Sequence, residues 1–229
     1  MTESDFADVA ERKTLAVVEL LGRLNVRPAK ILVVGCGNGL EAGVLARRLR
    51  AETIGIDLGG QFLFEHDKAR PATLLQMDAM ALQFRDASFD LVYCFHALEH
   101  VPDPTTALAE MSRVLTADGK YFVGTPNKSR LIGALGYGAP VLTKVAWNIN
   151  DWSMRLRGKW DNRYGAHAGF AHRELVELCR RAFGSAQDVS DDYYRLLYPR
   201  HGRTLAVIER LRLRAALMPC VYVFGGRQP

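Results

Sequence analysis

An α/β fold built on parallel strands is what this sequence predicts, on three observations. KILVV at 30–34 is an almost wholly apolar, β-branched run stopped by Gly35, the mark of a strand buried on both faces. A helical stripe of Leu40, Val44, Leu45 and Leu49 follows directly, and strand then helix recurs along the chain. Such alternation builds βαβ units with right-handed crossovers.

The elements follow in order. Residues 6–24 carry Leu15, Val18, Leu21 and Leu24 at helical spacing, and Pro28 ends that helix. TIGID, ATLLQ and SFDLVYCF are the second to fourth strands. Asp103 caps a helix over 104–116, with Pro104 at its first position. GKYFVGT is the fifth strand. The alternation then breaks over 128–170, a stretch with Trp147, Trp152, Trp160, Tyr137 and Tyr164. Regular order resumes in a helix from 173, where Leu175, Leu178, Cys179 and Ala182 form a stripe and Gly184 a stop. A strand near 186–195, a basic helix near 203–217 and a last strand, CVYVFG, complete the chain. The expected organisation is one domain over 1–229, with 128–170 inserted after strand five. That is the edge where open α/β sheets bind ligands, so the insertion reads as a cap over a site.

Composition narrows the function. The 229 residues are 48% hydrophobic and 24% charged, which excludes disordered and collagen-like classes. Cys36, Cys94, Cys179 and Cys220 are scattered, so no close pair suits zinc or a redox couple, and a reducing compartment is expected. The polar start MTESDFADVAERK does not resemble a signal peptide, and no apolar run is long enough to span a bilayer. A cytoplasmic location follows. Of the net +5, two basic segments stand out: six cations against Asp151 over 128–160, and six against Glu209 over 195–217. They could meet an anionic substrate, a membrane or nucleic acid, or be solvated helix faces, the reading preferred here.

The sharpest motif is VVGCGNG, with Gly35, Gly37 and Gly39 between a buried strand and a helix. Glycine allows the tight turn and lets backbone approach a ligand. Asp57, ending the second strand, can accept hydrogen bonds from ribose hydroxyls. Together they indicate a nucleoside-containing cofactor. A dinucleotide fingerprint would need a third glycine at position 40, which is Leu40, and no G-K-[ST] follows as a phosphate loop requires.

VVGCGNG, IGIDLG, LLQMDAMALQFRDASFDLVYCFHALEHVPDP and RVLTADGKYFVGTPN resemble, in that order, successive motifs of the class I S-adenosylmethionine-dependent methyltransferases. The likeness is nearest to the branch with small-molecule O-, N- and C-methylating enzymes. It covers residues 30–127, and more weakly 165–225. It implies a Rossmann-like seven-stranded sheet of order 3-2-1-4-5-7-6, last strand antiparallel, with helices on both faces. It also implies S-adenosyl-L-methionine as cofactor. The loop Gly35, Cys36, Gly37 and Gly39 would face its methionine portion, Asp57 its ribose, and Leu58 its adenine. Asp78 would accept from the adenine amino group, with Met77 and Ala79 flanking the ring, and backbone at Phe95 and His96 would help hold the cofactor's amino group. One departure is Val33, where the family usually has an acidic residue.

Methyl transfer from a sulfonium needs an aligned acceptor, and a base only if the attacking atom is protonated. The candidates are His100, with Glu99, in FHALEHVP, and His167 in the insertion. An imidazole titrates near working pH and can take a proton. Glu99 and His100 could equally brace the turn, and His172 reads as a helix cap. Some relatives hold a divalent cation with E-x-x-E-H here. This chain has H-x-x-E-H, and a hard cation prefers oxygen, so no metal is expected. Nor does the string suit a zinc protease, since Pro102 follows at once. The stretch LIGALGYGAPVLTKVAWNI, with Lys144 its one charge, could lie on a membrane or cap the site. The cap is preferred, over a small-molecule acceptor that is aromatic or apolar. Nucleic acid is disfavoured, since RNA-binding strand patterns are absent. An RNA or protein methyltransferase, and an inactive cofactor-binding subunit, are the alternatives. Oligomeric state is left open.

Overall fold

The computed structural model describes residues 3–59, 72–133, 141–164 and 166–227, so Tyr137 lies outside it. The strands are β1 (Lys30–Val34), β2 (Glu52–Asp57), β3 (Ala72–Gln76), β4 (Phe89–Phe95), β5 (Leu115–Pro126), β6 (Gln187–Asp188) and β7 (Cys220–Gly226). They form one sheet of order β3-β2-β1-β4-β5-β7-β6, with β7 antiparallel to both neighbours, the order expected.

Strand side chains alternate between faces, so each strand feeds two cores. Ile31, Val33, Leu91, Tyr93, Phe122 and Tyr222 point to one face. There they meet α1 (Glu3–Arg23), α2 (Leu40–Leu49) and α6 (Ser190–Leu197). Leu32, Val34, Val92, Cys94, Val123 and Val223 point to the other, against α3 (Pro104–Val114) and α5 (His172–Phe183). This double burial is why β1 and β4 read as continuous apolar runs. Asp103 caps α3 as expected, its Oδ1 accepting from Thr105 N at 3.0 Å and Thr106 N at 3.2 Å. Gly184, at φ 88°, closes α5.

Three expectations are corrected. The strand near 186–195 is only Gln187–Asp188, and Ser190–Leu197 is the helix α6. The aromatic pair Tyr193 and Tyr194 suggests a strand, but with Leu197 it forms a buried helical stripe. The basic helix near 203–217 is two helices, α7 (Gly202–Arg210) and α8 (Arg214–Leu217), separated by Arg212 at φ 57°. His172 is the first residue of α5 and not its cap. Glu174 Oε2 instead accepts from Ala171 N at 3.1 Å.

Within 128–170 the structure forms α4 (Val141–Leu156) and a single turn at 162–164. Among the described residues no helix is long and apolar enough to cross a membrane.

Asp188 joins α5 to the β6 edge. Its Oδ2 lies 2.7 Å from His172 Nδ1, and its Oδ1 accepts from Ser190 N at 2.9 Å. Burial alone would raise its pKa, but the bonds from His172 and Ser190 outweigh it and hold it at about 2. A carboxyl depressed in the folded state stabilises above its unfolded pKa and loses that contribution as pH falls. Asp188→Asn should cost about 2 kcal/mol at neutral pH and little near pH 2, as urea unfolding at both pH values will measure.

Candidate functional site

The parallel strands end on one edge, and the turns leaving β1, β2 and β4 shape a cleft there. Gly35, at φ 71°, makes the first turn, and Gly35 N and Cys36 N both donate to Ile56 O, at 2.8 and 2.9 Å. A Cβ on residue 35 would lie 2.1 Å from the Ala97 Cβ, so the β1 and β4 turns touch only because residue 35 is glycine. Gly37 N donates to Asp57 Oδ2 and Gly59 N to Asp57 Oδ1, both at 2.9 Å. Two backbone donors thus fix the carboxylate and leave it lone pairs for a ligand. Asp78 Oδ1 accepts from Met80 N at 2.8 Å.

The cleft has a volume of about 450 Å³, within the range of small-ligand sites. Gly35, Gly37, Asp57, Leu58, Met77, Asp78, Ala79, His96 and His100 line it. The sequence did not single out Val34, Ile56, Met80, Ala97, Val101 and Pro102, which complete its apolar wall. Three other predicted residues lie behind the surface. The Cys36 side chain is in the core, where burial, then Asp57, pushes its thiol up to about 12. Gly39 precedes α2 at φ 87°, with Leu74 where a Cβ would stand. Phe95 stacks between Tyr93 and Tyr222.

A second pocket, about 310 Å³, opens beside the cleft and shares His96 and His100 with it. Glu99, Pro126, Arg130, Gly133, His167, Pro219 and Cys220 complete its lining. His100 leaves the strand-four turn and His167 comes from the insertion, yet their rings lie 4.8 Å apart, edge to face. The structure therefore brings both predicted bases together at the border of the two cavities.

His96 and Glu99 are built differently. His96 has φ 54°, a strained value for a residue with a side chain. Its Nδ1 lies 3.6 Å from Glu99 Oε1. Burial opposes charge on His96, but Cys220 and Glu99 outweigh it and push its pKa up to about 10. His96 Nε2 and Glu99 Oε2 are buried without a hydrogen-bond partner. Among the described residues no three His, Cys, Asp or Glu side chains are arranged to hold a metal ion.

Sequence reasoning missed Arg130. It is 8% exposed and its guanidinium donates to the carbonyls of His167 and Ala168 and to Asp151 Oδ2. It also lies 4.8 Å over the Trp160 ring. Only its membership of a basic segment could have drawn notice.

Comparison with known proteins follows the same lines. A family model described as a methyltransferase domain matches residues 32–123. A ubiquinone biosynthesis O-methyltransferase of Alkalilimnicola ehrlichii is 31% identical over 77% of this chain and 73% of its own. One from Neisseria meningitidis serogroup C is 29% identical over 77% of this chain and 72% of its own. Among solved structures, the plantazolicin methyltransferase BpumL, in complex with a monoazolic desmethylPZN analog and SAH, superposes with a TM-score of 0.64. It has 14% identity and covers 99% of this chain and 86% of that one.

Gly35→Ala should destabilise the protein by about 1–3 kcal/mol, from the left-handed φ and the Ala97 contact. Gly22→Ala, in α1 with nothing within 4 Å, should instead stabilise by about 0.5–1 kcal/mol. Thermal unfolding of the two variants will read the opposite signs.

Proposed function

This chain belongs to the class I S-adenosylmethionine-dependent methyltransferases, and we propose that it O-methylates a small hydroxylic acceptor seated in the smaller pocket. The pairing of His100 and His167 beside the cofactor cleft carries this reading. The names of the O-methyltransferases it resembles support an oxygen acceptor.

The cleft's donor set fits the cofactor. Two carboxylates, Asp57 and Asp78, suit hydroxyl and amino donors, with Leu58, Met77 and Ala79 as apolar walls for a purine. Gly37, with open space where a Cβ would stand, leaves room for the amino-acid arm, and Gly35 lets the turn after β1 close against Ala97. When bound, S-adenosylmethionine supplies a methyl group already activated for displacement. The protein's work is to align the acceptor and to remove a proton.

A hydroxyl is a weak nucleophile until it sheds its proton. The proton passes to the His100 imidazole as the oxygen takes the methyl group. His167 braces that ring or takes the proton in its place, and Arg130 fixes His167 through its carbonyl. Glu99 faces the same pocket and accepts a hydrogen bond from the acceptor. Arg130, Gly133 and His167, all from the 128–170 segment, line one wall of this pocket, which supports a part for that segment in covering the acceptor.

Calorimetric titration with S-adenosylhomocysteine tests the cofactor site. Asp57→Ala should weaken binding by about 1.5–3 kcal/mol, since a charged hydrogen-bond acceptor is lost. Unchanged affinity would remove the ribose assignment. His100→Ala should lower turnover by about 10²–10⁴-fold while S-adenosylhomocysteine still binds. Wild-type turnover by that variant from acid to alkaline pH would exclude it as the base.

A further inference from the structure

Helix α4 is amphipathic, but its apolar side faces away from the protein. None of its residues is buried. Its polar side chains make the inward contacts. Asp151 Oδ2 accepts from Arg130 Nη2 at 3.1 Å, and Asn148 Oδ1 accepts from Gly133 N at 2.8 Å. Arg155 Nη2 donates to Lys128 O at 3.1 Å, and its guanidinium lies 4.2 Å over the Trp160 ring. Val141, Leu142, Val145, Ile149, Trp152 and Leu156 fall within one arc of about 100° around the helix axis. These six are between 44% and 86% exposed. Leu131 and Ile132, 46% and 39% exposed, adjoin the helix, and Trp152 Nε1 donates to Leu131 O at 3.2 Å.

A water-exposed helix ordinarily buries its apolar stripe and solvates its polar one. This helix does the reverse, so its apolar arc needs a cover of its own. The charges around it choose between occupants. Arg157 and Lys159 follow the helix directly, both exposed and without an acidic partner among the described residues. The acidic residue of 128–160 is Asp151, already bound to Arg130. A second copy would set this cationic segment against itself, and like charges oppose such a contact. A nucleic acid would use the cations, but Val, Leu and Ile offer nothing to bases or phosphates. An anionic bilayer uses both features: acyl chains take the apolar arc and headgroups take the cations.

We propose that α4 seats the protein on an anionic lipid surface, its apolar arc in the headgroup–acyl boundary and Arg157 and Lys159 at the lipid phosphates. This does not depend on the assignment of His100 or Asp57, and the variants that test it lie outside both cavities. It also reverses the preference the sequence alone suggests, because an apolar stretch does not reveal which way it faces.

The experiment is co-sedimentation of the full chain with vesicles of phosphatidylcholine alone and of an equimolar mixture with phosphatidylglycerol. The wild type should pellet with the mixed vesicles, far less with the neutral ones, and release as salt is raised. The pair Ile149→Asp and Leu156→Asp should bind at least about tenfold more weakly, as should Arg157→Glu with Lys159→Glu. Circular dichroism and the thermal midpoint should be unchanged in both, since these side chains are exposed. Wild-type protein that stays in the supernatant with anionic vesicles overturns the proposal, and so does wild-type binding by the aspartate pair. Sedimentation velocity revealing a dimer that the aspartate pair splits also overturns it, and would assign the arc to a second copy.

Discussion

The site depends on one close contact between two turns. Gly35 meets Ala97 where a side chain at 35 would overlap it, so the turn after β1 and the turn after β4 form a single wall. From that wall the cleft extends to Asp57, because Gly37 N and Gly59 N grip the two carboxylate oxygens. On its other side the same wall carries His96, at φ 54° with its N–H on Gly124 O at 2.7 Å, and then the short turn Leu98–His100. Both cavities are therefore set by how near β1 and β4 come at their ends. The parallel register Val33↔Tyr93 and Val34↔Cys94 delivers that approach.

This geometry explains which parts of the molecule the sequence made legible. The strands β1 and β4 are buried on both faces, so their composition alone declares them. The glycine loop and Asp57 are equally visible, since one βα turn and the next strand end hold them within a short span. The smaller pocket is not visible in that way. It needs Arg130, His167, Pro219 and Cys220 together, and only tertiary packing brings those together. Its two histidines could be named as candidates, but nothing local says that their rings meet. The helix α6 was hidden for a different reason. Adjacent tyrosines favour a strand by propensity, and burial against α1 decided for the helix.

The polar groups around the smaller pocket come at a cost to stability. Glu99 Oε2 and His96 Nε2 are buried without a hydrogen-bond partner, each worth about 1–3 kcal/mol of lost solvation. His96 adds backbone strain, and so does His167 at φ 46°. A fold seeking stability alone would replace these groups with apolar ones. These groups cluster at the border of the two cavities. The aromatic ladder Tyr93, Phe95, Phe122 and Tyr222, directly beneath, supplies rigid support for the strained turn.

Arg130 connects the two halves of the account. Its guanidinium donates at one end to Asp151 on α4 and at the other to the carbonyl of His167. The outward-facing helix is thus two hydrogen bonds from a candidate base. An exposed salt bridge would transmit little, being screened and loosely held. This one is 9% exposed on the arginine side and 19% on the aspartate side, and Trp160 stacks on the guanidinium. Helix α4 and the backbone of His167 are therefore joined through a single largely buried cation.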